Sequence, residues 1–203
     1  MKTIVTKFKD ERIKQAILND QVVAFPTETV YGLGVIYNSF TAFNKLIETK
    51  NRRPDKPFTL MLGRKEDIER YAILNEKTKQ IIKKYLPGEL TLLLKPKVDL
   101  FPWVTMRSKY IGIRVPNSNE VCQMINSVGM PMLVSSANMS NEPVCKNFEE
   151  VYNVFNNKVA IIVEGKTKSN VPSTIIICDD ELELVREGSL PFELIKQVWD
   201  KEK

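Results

Sequence analysis

Histidine is absent from all 203 residues of the chain. Its absence removes the commonest general base near neutral pH, the usual partner of a nucleophilic serine or cysteine, and the commonest metal ligand. Chemistry here must be built from lysine, arginine, carboxylates, hydroxyls, amides and backbone dipoles. That set suits anionic reactants held by fixed cations. Cysteine is scarce as well. Cys122, Cys145 and Cys178 lie far apart and form neither a CxxC pair nor a metal spacing, so they read as free thiols and no metal site is expected. No run of about 18 apolar residues occurs, and the opening MKTIVTKFKDER has no long apolar stretch. Neither a membrane span nor a secretory signal is expected, and a cytoplasmic location is the default. A Walker loop, GxxxxGK[ST], is missing too.

Thirty Lys and Arg against 25 Asp and Glu give a net charge of +5, which fits phosphate-bearing ligands or weak RNA binding without choosing between them. Aromatic residues make up only 8%, without the stacking platform of an RRM, which argues against sequence-specific RNA recognition. No linker or repeat divides the chain, so one domain spanning 1–203 is expected. Capping residues and helical spacing predict helices over 11–19 after Asp10, beyond Ser39, over 75–85, from Asn117 or Ser118 to 127, over 147–155, and from Pro191 to about Trp199. Apolar runs predict strands at 21–25, 58–62, 90–94, 110–115, 131–135, 159–163 and 173–178, with 181–186 as a hairpin partner. Helices and strands alternate early and strands crowd late, which predicts an α/β fold with a twisted, mixed sheet.

Four polar segments interrupt the apolar pattern. In PTETVYGLG (26–34) a strand runs into Thr27, Glu28, Thr29 and Tyr31, with Gly32 and Gly34 permitting close backbone approach; a pocket and a plain strand-to-turn connection are equally compatible with it. In ETKNRRPDKP (48–57), Lys50, Arg52, Arg53 and Lys56 sit at a helix end and in the following loop, suited to a triphosphate or merely to the helix dipole. In IGIRVP (111–116), Arg114 points away from Ile111, Ile113 and Val115, so it faces solvent or an anion. In MLVSSANMSNEP (132–143) a strand empties into Ser135, Ser136, Asn138, Ser140 and Asn141, at the kind of strand end where α/β sheets bind ligands.

Taken in order, these segments resemble the YrdC/TsaC family of threonylcarbamoyl-AMP synthases. PTETVYGLG is similar to the family's N-terminal signature. Lys50-Asn51-Arg52, followed by Asp55-Lys56-Pro57, resembles its KxR motif, and LPGELTLLLK (86–95) its PGPLTL segment. IGIRVP resembles its arginine strand, and Ser136-Ala137-Asn138 its SxN motif. PSTIII (172–177) and Val185-Arg186-Glu187-Gly188 resemble its late elements. Met61, where many relatives have histidine, and Arg53, where proline usually follows, are departures.

The resemblance implies a twisted α/β sheet with a positively charged concave cleft, in the short single-domain form. It implies formation of threonylcarbamoyl-AMP and pyrophosphate from L-threonine, bicarbonate and ATP, with magnesium carried by the ATP. Lys50, Arg52, Ser136 and Asn138 would be catalytic and bind ATP together with Ser173 and Arg186. Thr27, Tyr31 and Arg114 would bind threonine. Downstream proteins would transfer the group to tRNA. The alternatives are a non-catalytic RNA-binding module of the same fold and a related enzyme using another amine. Two consequences can be checked in a structure. The cations and hydroxyls should gather at one sheet edge, and Lys50, as a loop lysine, should matter more for turnover than for folding.

Overall fold

The structure, a computed structural model, describes residues 2–53 and 57–201. Asp55 and Lys56 of the basic segment therefore lie outside the described residues. Among the described residues ten strands join one sheet: β1 (Ile4–Thr6), β2 (Val23–Pro26), β3 (Tyr31–Ile36), β4 (Thr59–Met61), β5 (Leu90–Leu94), β6 (Ile111–Arg114), β7 (Met132–Ser136), β8 (Ile161–Val163), β9 (Thr174–Cys178) and β10 (Leu182–Arg186). Their spatial order is β1-β8-β2-β3-β7-β4-β6-β5-β9-β10. Parallel pairs (β1–β8, β2–β8, β4–β6, β5–β9) mix with antiparallel ones, as the alternation of elements predicts.

The helices start where short polar side chains can close an open N–H. Asp10 caps α1 (Glu11–Leu18), Ser39 caps α2 (Phe40–Lys50), and Asn75 caps α4 (Glu76–Tyr85). Ser118 caps α6 (Asn119–Val128) and Asn147 caps α7 (Phe148–Phe155). At its far end α6 stops on Gly129, whose φ of 79° is the left-handed conformation that glycine adopts without strain. The last helix, α8 (Phe192–Lys201), packs on α4 and β10. Two short helices, α3 (Ile68–Tyr71) and α5 (Pro102–Thr105), were not expected.

The main departure from the sequence reading is β3. Tyr31–Ile36 is no turn but a fully buried strand, paired antiparallel with both β2 and β7. The turn is only Thr27–Val30. Gly32 and Gly34 are strand residues chosen for packing. A Cβ on Gly34 would come within 2.8 Å of Met132 Cε and 2.9 Å of Phe25 Cε1. Every residue of β2, β3 and β6 is buried, so β2 and β3 read as unbroken apolar runs and not as alternating ones, while β6 buries Arg114 as well.

Candidate active site

Strand register decides which side chains meet. Across the middle of the sheet the partners are Gly32 with Ser136, Val134 with Thr59, Met61 with Arg114, and Thr91 with Ile175. Directly paired residues point to the same face, so these side chains share one. Gly32 and Gly112 add no bulk there, and the face is left hollow. It forms a cavity of about 210 Å³ lined by Thr27, Tyr31, Arg52, Arg114, Ser136, Ser173 and Arg186, with Thr59 and Thr91 adding hydroxyls. Seven of the nine residues singled out from the sequence thus line one hollow. It spreads over a sheet face from β3 to β10, and the single sheet edge expected from the sequence is a correction to make: paired registers carry the set across seven neighbouring strands.

Arg186 reaches this face through an irregularity. Leu184 pairs with Ile176, but Arg186 pairs with Ile175, so the ladder slips by one residue between them. In a regular ladder Arg186 would share the face of Leu184; the bulge turns it to the face of Ile175 and Thr91. Its Nη2 donates to Ser173 O at 2.7 Å, and Ser173 Oγ lies 2.9 Å from Thr91 Oγ1. Burial, and then the nearby Arg114, lower the pKa of Arg186.

Arg114 is not a surface arginine. It is 6% exposed, and its guanidinium donates from Nε to Gly88 O (3.3 Å) and from Nη2 to Glu28 Oε1 and Thr29 Oγ1 (both 2.9 Å). Of the two alternatives, solvent or an anion, the structure gives it an anion in Glu28, a residue of the chain itself. These bonds use Nε and Nη2 and leave Nη1 for the cavity. Tyr31 lines the hollow, but its hydroxyl is committed elsewhere, 2.8 Å from Gly165 O and 3.1 Å from Val163 O, while Gly165 N donates back to it at 3.1 Å. Burial pushes its pKa up to about 12.

Lys50 and Asn138 stand one layer behind. Lys50 is the last residue of α2, only 1% exposed, and its Nζ donates to Ser136 O and Asn138 O (both 2.6 Å) and to Asn138 Oδ1 (3.3 Å). Lys50 is therefore not the loop lysine expected from the sequence: it belongs to the helix, which is capped by the left-handed Asn51, and its side chain is buried. Burial, and secondarily Arg52, push the Lys50 pKa down to about 7. The three oxygens act the other way, because only the ammonium form has three N–H groups to give. Asn138 Oδ1 also accepts from Ser136 Oγ (2.7 Å), while its Nδ2 donates to Met139 O and Glu142 O. Together the two side chains shape the wall that presents Ser136. Arg52 lines the opposite side, its Nη2 on Pro57 O at 3.1 Å and its guanidinium 4.8 Å from the Phe58 ring centre.

The sequence reading overlooked Glu28 as a partner of Arg114, and it overlooked the hydroxyls of Thr59 and Thr91. Glu28 gave a signal: a carboxylate at the end of a fully apolar strand needs a cation, and none is adjacent in sequence. Among the described residues no cluster of three or more acidic or cysteine side chains could hold a metal ion. Among the described residues the cavity wall offers guanidiniums and hydroxyls but no carboxylate. This donor set does not fit a protein-held magnesium, which prefers carboxylate and water oxygens.

A family model named for Sua5, YciO and YrdC, and described as telomere recombination, matches residues 15–188. The chain belongs to this family. A threonylcarbamoyl-AMP synthase of Bacillus subtilis is 36% identical to it over 199 residues, 93% of this chain and 57% of the relative. One from Wigglesworthia glossinidia brevipalpis is 32% identical over 167 residues, 81% of this chain and 86% of the relative. The crystal structure of Pyrococcus abyssi Sua5 complexed with L-threonine superposes with a TM-score of 0.89 at 30% identity, covering 97% of this chain and 61% of that one. The chain thus spans well under two thirds of two of these relatives. Among the described residues no helix of this family member is long and apolar enough to cross a membrane.

Proposed function

We propose that the chain is a threonylcarbamoyl-AMP synthase, joining L-threonine, bicarbonate and ATP and releasing pyrophosphate. The observation that carries this reading is the single hollow in which Arg52, Arg114 and Arg186 converge among hydroxyls, in a chain of this family. Three fixed guanidiniums suit a reaction whose reactants each carry a negatively charged group.

The chemistry needs no histidine. Threonine's amine adds to carbon dioxide with loss of a proton, or condenses with bicarbonate with loss of water, to give a carbamate. A carbamate oxygen then attacks the α-phosphorus, and pyrophosphate leaves. The nucleophile is already an anion, so the task is to gather negative groups and to stabilise charge on the phosphate. Arg114, through Nη1, would hold the threonine carboxylate, with Thr27 and Tyr31 shaping that end. Arg52 and Arg186, with Ser136 and Ser173, would hold the nucleotide. Lys50 and Asn138 would serve ATP by fixing Ser136. The enclosed space, about 210 Å³, is smaller than the roughly 300–1,000 Å³ of sites that enclose drug-sized ligands. An amino acid fits within it and a nucleotide would extend past its rim. Magnesium would arrive on the phosphates with its waters. The product would pass to proteins that modify adenosine in tRNA.

Pyrophosphate release in the presence of ATP is the test. Release that requires both threonine and bicarbonate is expected. Release indifferent to threonine overturns the reading, and stimulation by a different amine reassigns the substrate.

A further inference from the structure

We infer that Glu28 is a positioning residue, which sets Arg114 so that Nη1 faces the amino-acid end of the cavity. This inference rests on the amino-acid role proposed for Arg114. Glu28 sits in the β2–β3 turn and is buried. Its Oε1 accepts from Arg114 Nη2 and from Asn117 N, both at 2.9 Å. Its backbone is pinned as well, since Glu28 O accepts from Lys168 N at 3.2 Å and Ser169 N at 3.1 Å. One carboxylate oxygen therefore ties three segments to a single guanidinium: the turn, the strand β6 and the residue before the α6 cap.

The second oxygen makes the point sharper. Oε2 is buried with no hydrogen-bond partner among the described residues. An unpaired buried carboxylate oxygen is costly, so Glu28 is a poor choice for packing alone. The placement makes sense as the means of holding Arg114. With Nε on Gly88 O and Nη2 shared by Glu28 and Thr29, the guanidinium plane is fixed at three points. An incoming carboxylate then meets an N–H that is already aimed, and ordering costs less on binding. Glu28 itself is absent from the cavity lining, so it acts through Arg114 and not on substrate.

Reach and charge can be separated. Glu28→Asp keeps the charge but is one methylene shorter on a pinned backbone. Glu28→Gln keeps the length and an acceptor oxygen but loses the charge. If position is what matters, the Asp variant should raise the KM for threonine roughly 10- to 100-fold, as displacements of about 1 Å do in active sites. Its KM for ATP should stay within about twofold, and the Gln variant within about threefold of wild type for both. Equal KM values for threonine in wild type and Asp overturn the inference, as does a fall in melting temperature with both KM values unchanged, the mark of a purely structural role. A second arm does not depend on turnover: the 15N NMR signal of Arg114 Nε–H, assigned with Arg114→Lys, should survive in Gln and broaden or vanish in Asp. Its persistence in Asp, or its loss in Gln, refutes the positioning role even if one variant folds poorly. A wild-type protein that ignores threonine defeats the adenylate reading, while the NMR comparison still decides Glu28.

Discussion

Replacing Lys50 with methionine isolates the buried ammonium, because methionine keeps most of the aliphatic stem that packs at the end of α2. In the wild-type chain Nζ satisfies two backbone carbonyls, of Ser136 and Asn138, at 2.6 Å each. Methionine removes that donor from both, although Ser136 O still accepts from Asn138 N at 3.1 Å. A buried acceptor deprived of its donor costs about 1–3 kcal/mol, which falls on Asn138 O, and the loss of one of two bonds at Ser136 O costs about 0.5–1.5 kcal/mol, so the two together cost about 1.5–4.5 kcal/mol. Relief from burying a charge offsets part of this, and a net loss of about 1–3 kcal/mol is expected. For a chain of this size each kcal/mol moves the melting temperature by about 2–4 °C, which predicts a fall of roughly 2–12 °C. Asn138 Oδ1 keeps its bond from Ser136 Oγ, so the loop should loosen without detaching. Differential scanning calorimetry, run beside pyrophosphate release on the same preparation, reads both effects. Turnover should fall because Ser136 is no longer held against the cavity. A melting temperature within about 2 °C of wild type would show that Lys50 does not anchor this wall, and the argument from its three oxygen partners would fail.

The same lysine predicts a pH dependence. Its folded pKa, about 7, lies below the unfolded value of 10.5, so between these the unfolded chain binds more protons and stability rises with pH. The melting temperature of wild type relative to Lys50→Met should therefore climb from pH 7 towards 10, and a flat difference refutes the depressed pKa. Arg114→Met leaves Glu28 as a buried carboxylate without its cation and should cost about 3–5 kcal/mol in denaturant unfolding; a cost under about 1 kcal/mol would mean that the pair is not buried as described. Gly188→Ala places a Cβ 2.1 Å from Pro172 O and 2.5 Å from Ser173 C, so the backbone carrying Ser173 must move. Overpacking of this kind costs about 1–3 kcal/mol, and turnover should drop with it; unchanged activity and stability would contradict the contact.

Local signals carried the sequence reading furthest. Asp10 and Ser39 could be picked as helix caps, because a capping side chain bonds within three residues of itself, and the helix starts expected at 75, at 117 or 118 and at 147 fall on or beside the observed caps Asn75, Ser118 and Asn147. The strands over 90–94 and 111–114 stood out as apolar runs bounded by turn residues. What stayed hidden was set by partners distant in sequence. Tyr31–Ile36 looked like a turn because two glycines interrupt it, yet they are required by Phe25, Met132 and Val134 on neighbouring strands. Nothing near Lys50 says that it is buried; its oxygen partners lie 86 and 88 residues away. Arg114 could be assigned an anion, but Glu28, 86 residues earlier, could not be named as part of it. The motifs marked the right neighbourhood, and only register and burial separated residues that line the hollow from those that support it.

The slipped ladder of β10 bears on how relatives should be compared. Arg186 faces the cavity because one extra residue sits between it and Leu184. A related chain one residue shorter in that hairpin could keep an arginine in the aligned column and still turn it outward, losing one of three cavity guanidiniums with no change of residue type. In such chains the length of a two-stranded edge, more than the identity of its arginine, decides whether this side of the cavity carries its cation.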